Sequence, residues 1–238
     1  MKTIPHMHDF ISLLPAGVQE EIDRLSKPWK LAKGEPIYRQ GDESQEIYRL
    51  VSGTVRLCSY SSEGKEYIAG EFRAGDCFGE MGLIDGMPRV SHAVAVQDSF
   101  LRVLSKADFD ALYQRYPEIG RQCLIMLCRR VRHLYGLNAE ASGLTLRQRL
   151  ALTIARLAHS QGLRDSSGEQ FIGISQEELG KMLGVSRQSI SKEIKRLQKE
   201  EVIDLRYGKI YICSLSLLLE KYEGFMDVSQ IAAVYDAD

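Results

Sequence analysis

The spacing of hydrophobic positions changes character along the chain. From Trp29 to Leu104 apolar residues come in short alternating runs broken by glycine, as in YRLVSGTVRLCSY (48 to 60), which alternates around Ser52-Gly53. Further turns fall at Gly34, Gly41, Gly64 and Gly75, and Ala93 to Val96 and Leu101 to Leu104 suit buried strands. Many short strands with regular turn signals predict a small antiparallel barrel or jelly roll. Residues 1 to about 28 read as helical, with Val18, Ile22 and Leu25 on one face.

A long helical pattern follows, from about Pro117 to Ala141. Leu124, Leu127, Val131, Leu134, Asn138 and Ala141 alternate spacings of three and four, the a/d seam of a two-stranded coiled coil. Asn138 on that seam sets register at some cost in stability. The plainer reading is a helix packed on its own domain; dimerisation is favoured here. Gly143 and Leu144 mark a hinge. A helix over about 145 to 160 places Leu146, Leu150, Ile154 and Leu157 on one face. SQGLRDSSGEQ (160 to 170) reads as a loop and Phe171 to Ile174 as a short strand. From Ser214 the text begins as an apolar helix and ends in an acidic, frayed tail.

Between these lies ISQEELGKMLGVSRQSISKEIKRLQK, residues 174 to 199. Ser175 with Glu178 forms a capping-box signal, and Leu179, Met182 and Leu183 give a first helix its apolar face. Gly184 allows a tight turn. Ser186 caps a second helix, whose Ile190, Ile194 and Leu197 are buried on one side. Gln188, Ser191, Lys192 and Lys195 share another side, with Arg187 at the tip. Lys181, Arg187, Lys192, Lys195, Arg196 and Lys199 face a single acid, Glu193. A hairpin is predicted next, pairing Val202 and Ile203 with Ile210 to Ile212 across Tyr207-Gly208-Lys209. A helix pair with one basic, hydrogen-bonding face followed by a hairpin is a winged helix-turn-helix, suited to the major groove of double-stranded DNA. Ser186 and Ser189 are placed to touch phosphates, and Arg187, Gln188 and Lys192 to reach bases; Ser191, Lys195 and Gln176 complete the contact set.

Composition narrows this picture. The 238 residues suffice for two modest domains, and 44% apolar content supports packed cores. With 31 basic against 32 acidic residues, any nucleic-acid site is a local patch. No apolar run approaches the roughly 20 residues that span a bilayer. MKTIPHMHDFISLLP lacks a charged start followed by an apolar core, which predicts no signal peptide and a cytoplasmic protein without a membrane partner. Cys58, Cys77, Cys123, Cys128 and Cys213 show no C-x-x-C pair, which argues against a disulfide framework or a zinc or iron-sulfur site. Cys123 and Cys128 turn away from each other on a helix. His6 and His8 read as a mobile terminus. No Ser/His/Asp grouping, phosphate loop or metal-ligand cluster points to an enzyme.

An antiparallel β-roll, a long coiled-coil helix and a winged helix-turn-helix, in that order, resemble the CRP/FNR family of bacterial transcription regulators. The likeness covers residues 10 to about 215. Its most specific motifs are GDCFGEMGLIDGMPR (Gly75 to Arg89) and GVSRQSISKEI (Gly184 to Ile194). The resemblance implies an α+β protein: a cyclic-nucleotide-binding-like β-roll over residues 1–116, a dimerisation helix and hinge over 117–143, and a winged helix-turn-helix domain over 144–238. It implies a homodimer reading a palindromic site, controlled by a small effector, with RNA polymerase as a further partner. No resident cofactor is assigned. The alternative is a cyclic-nucleotide-type regulatory subunit that acts on protein partners.

In the family's cyclic-AMP binders the first motif is a phosphate-binding cassette. By resemblance its helix begins near Gly79, with Met81 in the cassette. Glu80 would accept from a ribose hydroxyl and Arg89 would pair with the phosphate. A purely structural alternative lets Glu80 and Arg89 bridge each other, or Asp85. Here the residue after the arginine is Val90, where cyclic-AMP binders carry Ser or Thr. Leu134 and Tyr135 stand where they place Thr-Ser. A hydrogen bond to a charged group contributes roughly 1.5–3 kcal/mol, so the reading is against tight cyclic-AMP binding. Ser91 could replace the hydroxyl, but strand alternation points it away from Val90. No cysteine precedes Cys58, against the iron-sulfur branch of the family. A haem branch would use Cys77 or His92, for which a strand-end thiol and a surface imidazole are the plainer readings.

Overall fold

The computed structural model describes residues 2–5, 7–222 and 231–234. They form two compact units, one of residues 6–130 and one of residues 1–5 with 131–238. The division between them falls inside the long helix, and the first residues join the C-terminal unit. The opening segment, β1 (Lys2–Pro5), pairs in parallel with a late strand, Ile231–Val234.

The unit of residues 6–130 begins with turns and α1 (Ala16–Leu25). The helix expected from residue 1 starts only after Pro15. Asp9 accepts from the N–H groups of Ile11 and Ser12 and so closes a turn, and the prolines at 5 and 15 cannot donate backbone bonds. Nine further elements follow: β2 (Lys27–Leu31), β3 (Pro36–Tyr38), β4 (Glu46–Ser52), β5 (Val55–Tyr60), β6 (Glu66–Phe72), β7 (Cys77–Phe78), α2 (Glu80–Asp85), β8 (His92–Ala95) and β9 (Ser99–Ser105). Their strands make two antiparallel sheets, ordered β2-β9-β4-β7 and β3-β8-β5-β6. The period-two pattern sets the register: Leu50 opposes Leu101 and Val55 opposes Phe72, and all four are buried with Phe78, Ala93 and Ala95. A second core lies under α1, α3 (Lys106–Arg115) and the start of α4 (Pro117–Gly143), around Phe10, Ile22, Phe109, Ile119 and Met126.

The other unit holds the rest of α4 and α5 (Leu146–Gln161), β10 (Leu163–Arg164), β11 (Gln170–Ile172), α6 (Gln176–Leu183), α7 (Arg187–Lys199), β12 (Ile203–Arg206), β13 (Lys209–Ile212), α8 (Leu215–Tyr222) and β14 (Ile231–Val234). Thr145 and Gln148 form a capping box that starts α5 just past the bend after Gly143. Arg156 grips Glu140 with two bonds of 2.7 and 2.8 Å, and Glu140 is buried, which ties α5 to the last turns of α4. The expected single apolar face of α5 is too modest a description. Leu150 through Ala155 are all buried, because this helix is the centre of its unit rather than its edge. Ile172, Leu179, Ile190, Ile194, Leu197, Val202 and Ile210 pack around it.

Three sequence expectations change here. The supposed loop 160 to 170 carries the end of α5 and strand β10, which pairs with β11. The hairpin turn is two residues, Tyr207-Gly208, with Arg206 opposite Lys209 and Ile203 opposite Ile212. Tyr207 adopts φ 50° and Gly208 φ 76°, so both central residues are left-handed, as a twisted two-residue turn requires. After α8 the chain returns as a strand at β14; the acidic last residues, 235–238, lie outside the described residues, as does His6. His8 is not mobile: its Nδ1 accepts from Arg130 and its ring meets Phe72 edge-on.

Among the described residues no helix is long and apolar enough to cross a membrane. Cys58, Cys77 and Cys123 are buried free thiols, and Cys128 faces outward, away from Cys123. Replacing Ile154, fully buried, with Ala is expected to remove about 2–5 kcal/mol from the C-terminal unit. Urea unfolding followed by circular dichroism checks it.

Candidate nucleic-acid interface and effector pocket

Helix α6 starts on a complete capping box: the Ser175 side chain accepts from the Glu178 N–H, and Glu178 returns to the Ser175 N–H. It ends at Gly184, whose φ of 70° suits glycine. Gly180 lets the turn close, since a Cβ there would stand 2.8 Å from the Val185 carbonyl oxygen. Ser186 then caps α7 by accepting from the Ser189 N–H at 3.2 Å. Ile190, Ile194 and Leu197 are buried, so the helix has one fixed orientation on its unit.

The outer side of α7 follows from that burial. Ser186, Arg187, Gln188, Lys192 and Lys195 are exposed; Ser189, Ser191 and Gln176 are half-buried. The one acid of the helix, Glu193, is not on this side. It is buried and bridges Arg147 of α5 at 3.0 Å and Arg196 at 2.6 Å. Lys181 pairs with Glu177. Arg187, Lys192, Lys195 and Lys199 make no ion pair among the described residues. The result is a cationic, donor-rich ridge, the charge pattern that meets phosphates and guanine edges. Arg147 also binds Glu200 at 3.0 Å, and Glu200 takes further bonds from Lys221 and Tyr222. Sequence reasoning missed Arg147, because its partners lie about fifty positions away on another helix.

In the unit of residues 6–130, α2 starts at Gly79, which has φ 91°. A Cβ on Gly79 would come within 2.8 Å of Arg89 Nη1. Beside α2 opens a pocket lined by Tyr38, Leu57, Phe72, Phe78, Gly79, Glu80, Met81, Arg89, Val90, Ser91 and Arg130, among others. Neither bridge between Glu80 and Arg89 nor one to Asp85 forms. Glu80, 1% exposed, pairs with Arg130, which also donates to the Cys77 carbonyl. Arg89 donates from Nη1 to the Gly79 carbonyl and from Nη2 to the Glu46 carbonyl, both at 2.6 Å, and its guanidinium lies 4.5 Å over the Tyr38 ring. Asp85 accepts from the Met87 N–H. Val90 is exposed at the mouth, whereas Ser91 is buried. Burial pushes the Tyr38 hydroxyl far above its usual range, only partly offset by Arg89, so it stays protonated. Leu134 and Tyr135 belong to the other unit and are exposed on α4. Arg130 and Tyr38 carried no signal in the sequence; each matters only through partners distant along the chain.

Cys77 is fully buried with its sulfur facing Asp9, and burial raises its thiol well above the ordinary range. His92 sits on β8 with its ring edge-on to Tyr60. No group of three or more His, Cys, Asp or Glu that could hold a metal occurs among the described residues.

A β-roll with this pocket and a helix-turn-helix with this ridge define a DNA-binding transcription regulator. Residues 28–116 match the cyclic nucleotide-binding domain and residues 148–221 the Crp-like helix-turn-helix domain. The chain is 34% identical over 191 residues to a cyclic AMP receptor protein of Thermus thermophilus, covering 79% of this chain and 84% of that one. It is 30% identical over 178 residues to the cAMP-activated global transcriptional regulator CRP of Haemophilus influenzae, 74% and 79% covered. The crystal structure of a CRP-family transcriptional regulator from Thermus thermophilus aligns with TM-score 0.67 at 26% identity, covering 84% of this chain and all of that one. The chain belongs to the CRP/FNR family of transcription regulators.

Arg147→Ala is expected to weaken DNA binding without touching DNA, because Glu193 and Glu200 lose their common cation beneath the reading helix; fluorescence anisotropy with duplex DNA reads this. A pH effect follows as well. Burial would raise the Glu200 carboxyl, but Lys221, Tyr222 and Arg147 outweigh it and hold it below the usual carboxylate range. Arg206 does the same for Asp204. Folded-state values below unfolded ones mean stability that is complete at neutral pH and lost as pH falls through the depressed range. The melting temperature of the C-terminal unit should therefore drop progressively in acid, and less so in Glu200→Gln.

Proposed function

We propose that this regulator works as a homodimer on a two-fold symmetric DNA site, with affinity set by a small effector in the pocket beside α2. The observation that carries the dimer is the seam of α4. Leu124, Val131 and Leu134 are 63, 49 and 61% exposed, and Asn138 and Ala141 are exposed on the same line. A helix of this length with an uncovered a/d stripe buries it against a second copy. Two reading helices then meet half-sites about 34 Å apart, one turn of DNA. Residues 1–116 serve as the sensor, 117–143 as the dimer rod and hinge, and 144–238 as the reader.

Within the reader, Arg187, Gln188 and Lys192 contact base edges, with Ser191 and Lys195 beside them. Ser186, Ser189 and Gln176 steady the phosphate backbone. Gln188 suits adenine and Arg187 guanine. The sensor pocket is made by Gly79, Glu80, Met81, Arg89, Val90 and Ser91. The relatives named above carry cyclic AMP in their names. This chain offers no hydroxyl at Val90, which supports an effector other than cyclic AMP. The protein acts in the cytoplasm, recruits or blocks RNA polymerase and catalyses no reaction. A regulatory subunit acting on protein partners is disfavoured by the unpaired cations along α7.

Arg187→Ala is expected to cost about 1–3 kcal/mol of DNA affinity and to relax one base position in each half-site, read by binding to a randomised duplex library. Leu134→Glu is expected to yield monomers by sedimentation and to abolish specific binding while the fold persists. A dimer of undiminished affinity in that variant would remove the seam from the mechanism.

A further inference from the structure

The first residues of the chain do not stay with the unit that follows them. β1, Lys2–Pro5, belongs to the C-terminal unit, where Thr3 stands opposite Ala232 and Ile4 opposite Ala233 in a parallel two-stranded pair. β14 in turn lies against α5, the helix at the centre of that unit. Both strands fall outside the matched regions, residues 28–116 and 148–221. One residue, His6, separates β1 from Met7, which is buried in the unit of residues 6–130. A trans peptide advances the chain by at most about 3.8 Å per residue, so this connection has almost no slack. With β1 paired, the reader is therefore attached to the sensor twice, through α4 and through β1.

The pair is a weak contact by construction. Each strand has four residues, and among the described residues no third strand joins them. A two-stranded sheet is marginal in water, and parallel pairing is slightly less stable per residue than antiparallel. Pro5 has no N–H to donate, which stops the ladder at the last residue before the sensor. Such a contact sits at the low end of the range of local stabilities and opens while the core stays folded. Its placement also matters. Arg187, Gln188, Lys192 and Lys195 remain exposed with the pair in place. The pair restrains the reader without covering its cationic ridge.

We infer that β1 and β14 form an autoinhibitory strap: paired, they hold the reader by a second, short connection, and DNA is bound from the state in which they have parted. A reading helix must be free to meet its half-site, and a reader tied at two points has fewer orientations than one tied through α4 alone. DNA that engages the open state draws the equilibrium toward it, and the observed affinity is reduced by the fraction of molecules that are open. A brace serving the DNA-bound arrangement gains from strength. A strap that DNA binding displaces has to be weak, as this four-residue pair is.

A reversible crosslink in the full-length protein tests this. Thr3→Cys and Ala232→Cys put thiols on two register partners, in a background of Cys128→Ser and Cys213→Ser that removes the exposed native thiols. Paired Cα atoms in a sheet lie within reach of a disulfide. The probe is a duplex selected from a randomised library by the wild-type protein, followed by fluorescence anisotropy. Oxidised glutathione should close the bridge within one chain and weaken DNA binding about tenfold, in the usual range of coupling between two sites, and reduction of the same sample should restore it. Opening the strap should act in the other direction. Ala232→Pro with Ala233→Pro removes two successive N–H groups, one of which faces β1, and should tighten DNA binding severalfold while the circular dichroism of the folded protein persists. Equal or tighter binding by the oxidised form, a bridge that forms only between two chains, or unchanged or weaker binding by the folded proline variant overturns the strap.

Discussion

A recognition helix meets the phosphates most favourably when its outer face carries no carboxylate to repel them, and in this chain that condition is met from behind. Glu193 is the single acid of α7, and it is turned inward because Arg147 and Arg196 hold both of its oxygens. The same Arg147 fixes Glu200 at the end of the helix, where Lys221 and Tyr222 also bind. An ion-pair network under the helix therefore does two things at once. It locks the rotation of α7 about its own axis, and it sorts charge so that the exposed ridge is wholly cationic. The apolar contacts of Ile190, Ile194 and Leu197 alone would set the first without guaranteeing the second.

The pocket beside α2 shows the complementary arrangement. There the charged groups are kept inside, and the outside is apolar. Glu80 and Arg89 are both nearly inaccessible, each held by groups far along the chain, while Met81 and Val90 stand at the opening. A site built this way selects by the few polar atoms at its floor and by the shape of its rim. Its structure is consistent with one family framework serving different small molecules through changes at positions such as Val90.

What the sequence disclosed, and what it hid, divides along physical lines. Local signals were legible: Ser175 with Glu178, Gly184, Ser186 and the three-four spacing along α4 each act within a few residues of the structure they produce. The strand-rich text from Trp29 to Leu104 declared its two sheets for the same reason, since alternation is a property of neighbours. Long-range pairings left no such mark. Glu80 finds Arg130 across fifty positions, Glu193 finds Arg147 across forty-six, and Lys2–Pro5 finds its strand partner near the other end of the chain. The hairpin turn was misread by one residue because a tyrosine at φ 50° is an unexpected occupant of a left-handed position. The pocket's motif was visible, but the bonds that its charges make were not.

The grip of Arg156 on Glu140 has a mechanical consequence. Two parallel bonds fix the body of α5 against the last turns of α4 on either side of the bend after Gly143. The last turns of α4 are thereby joined to α5, around which the C-terminal unit is packed. The coupling of the two helices rests on one guanidinium clasp.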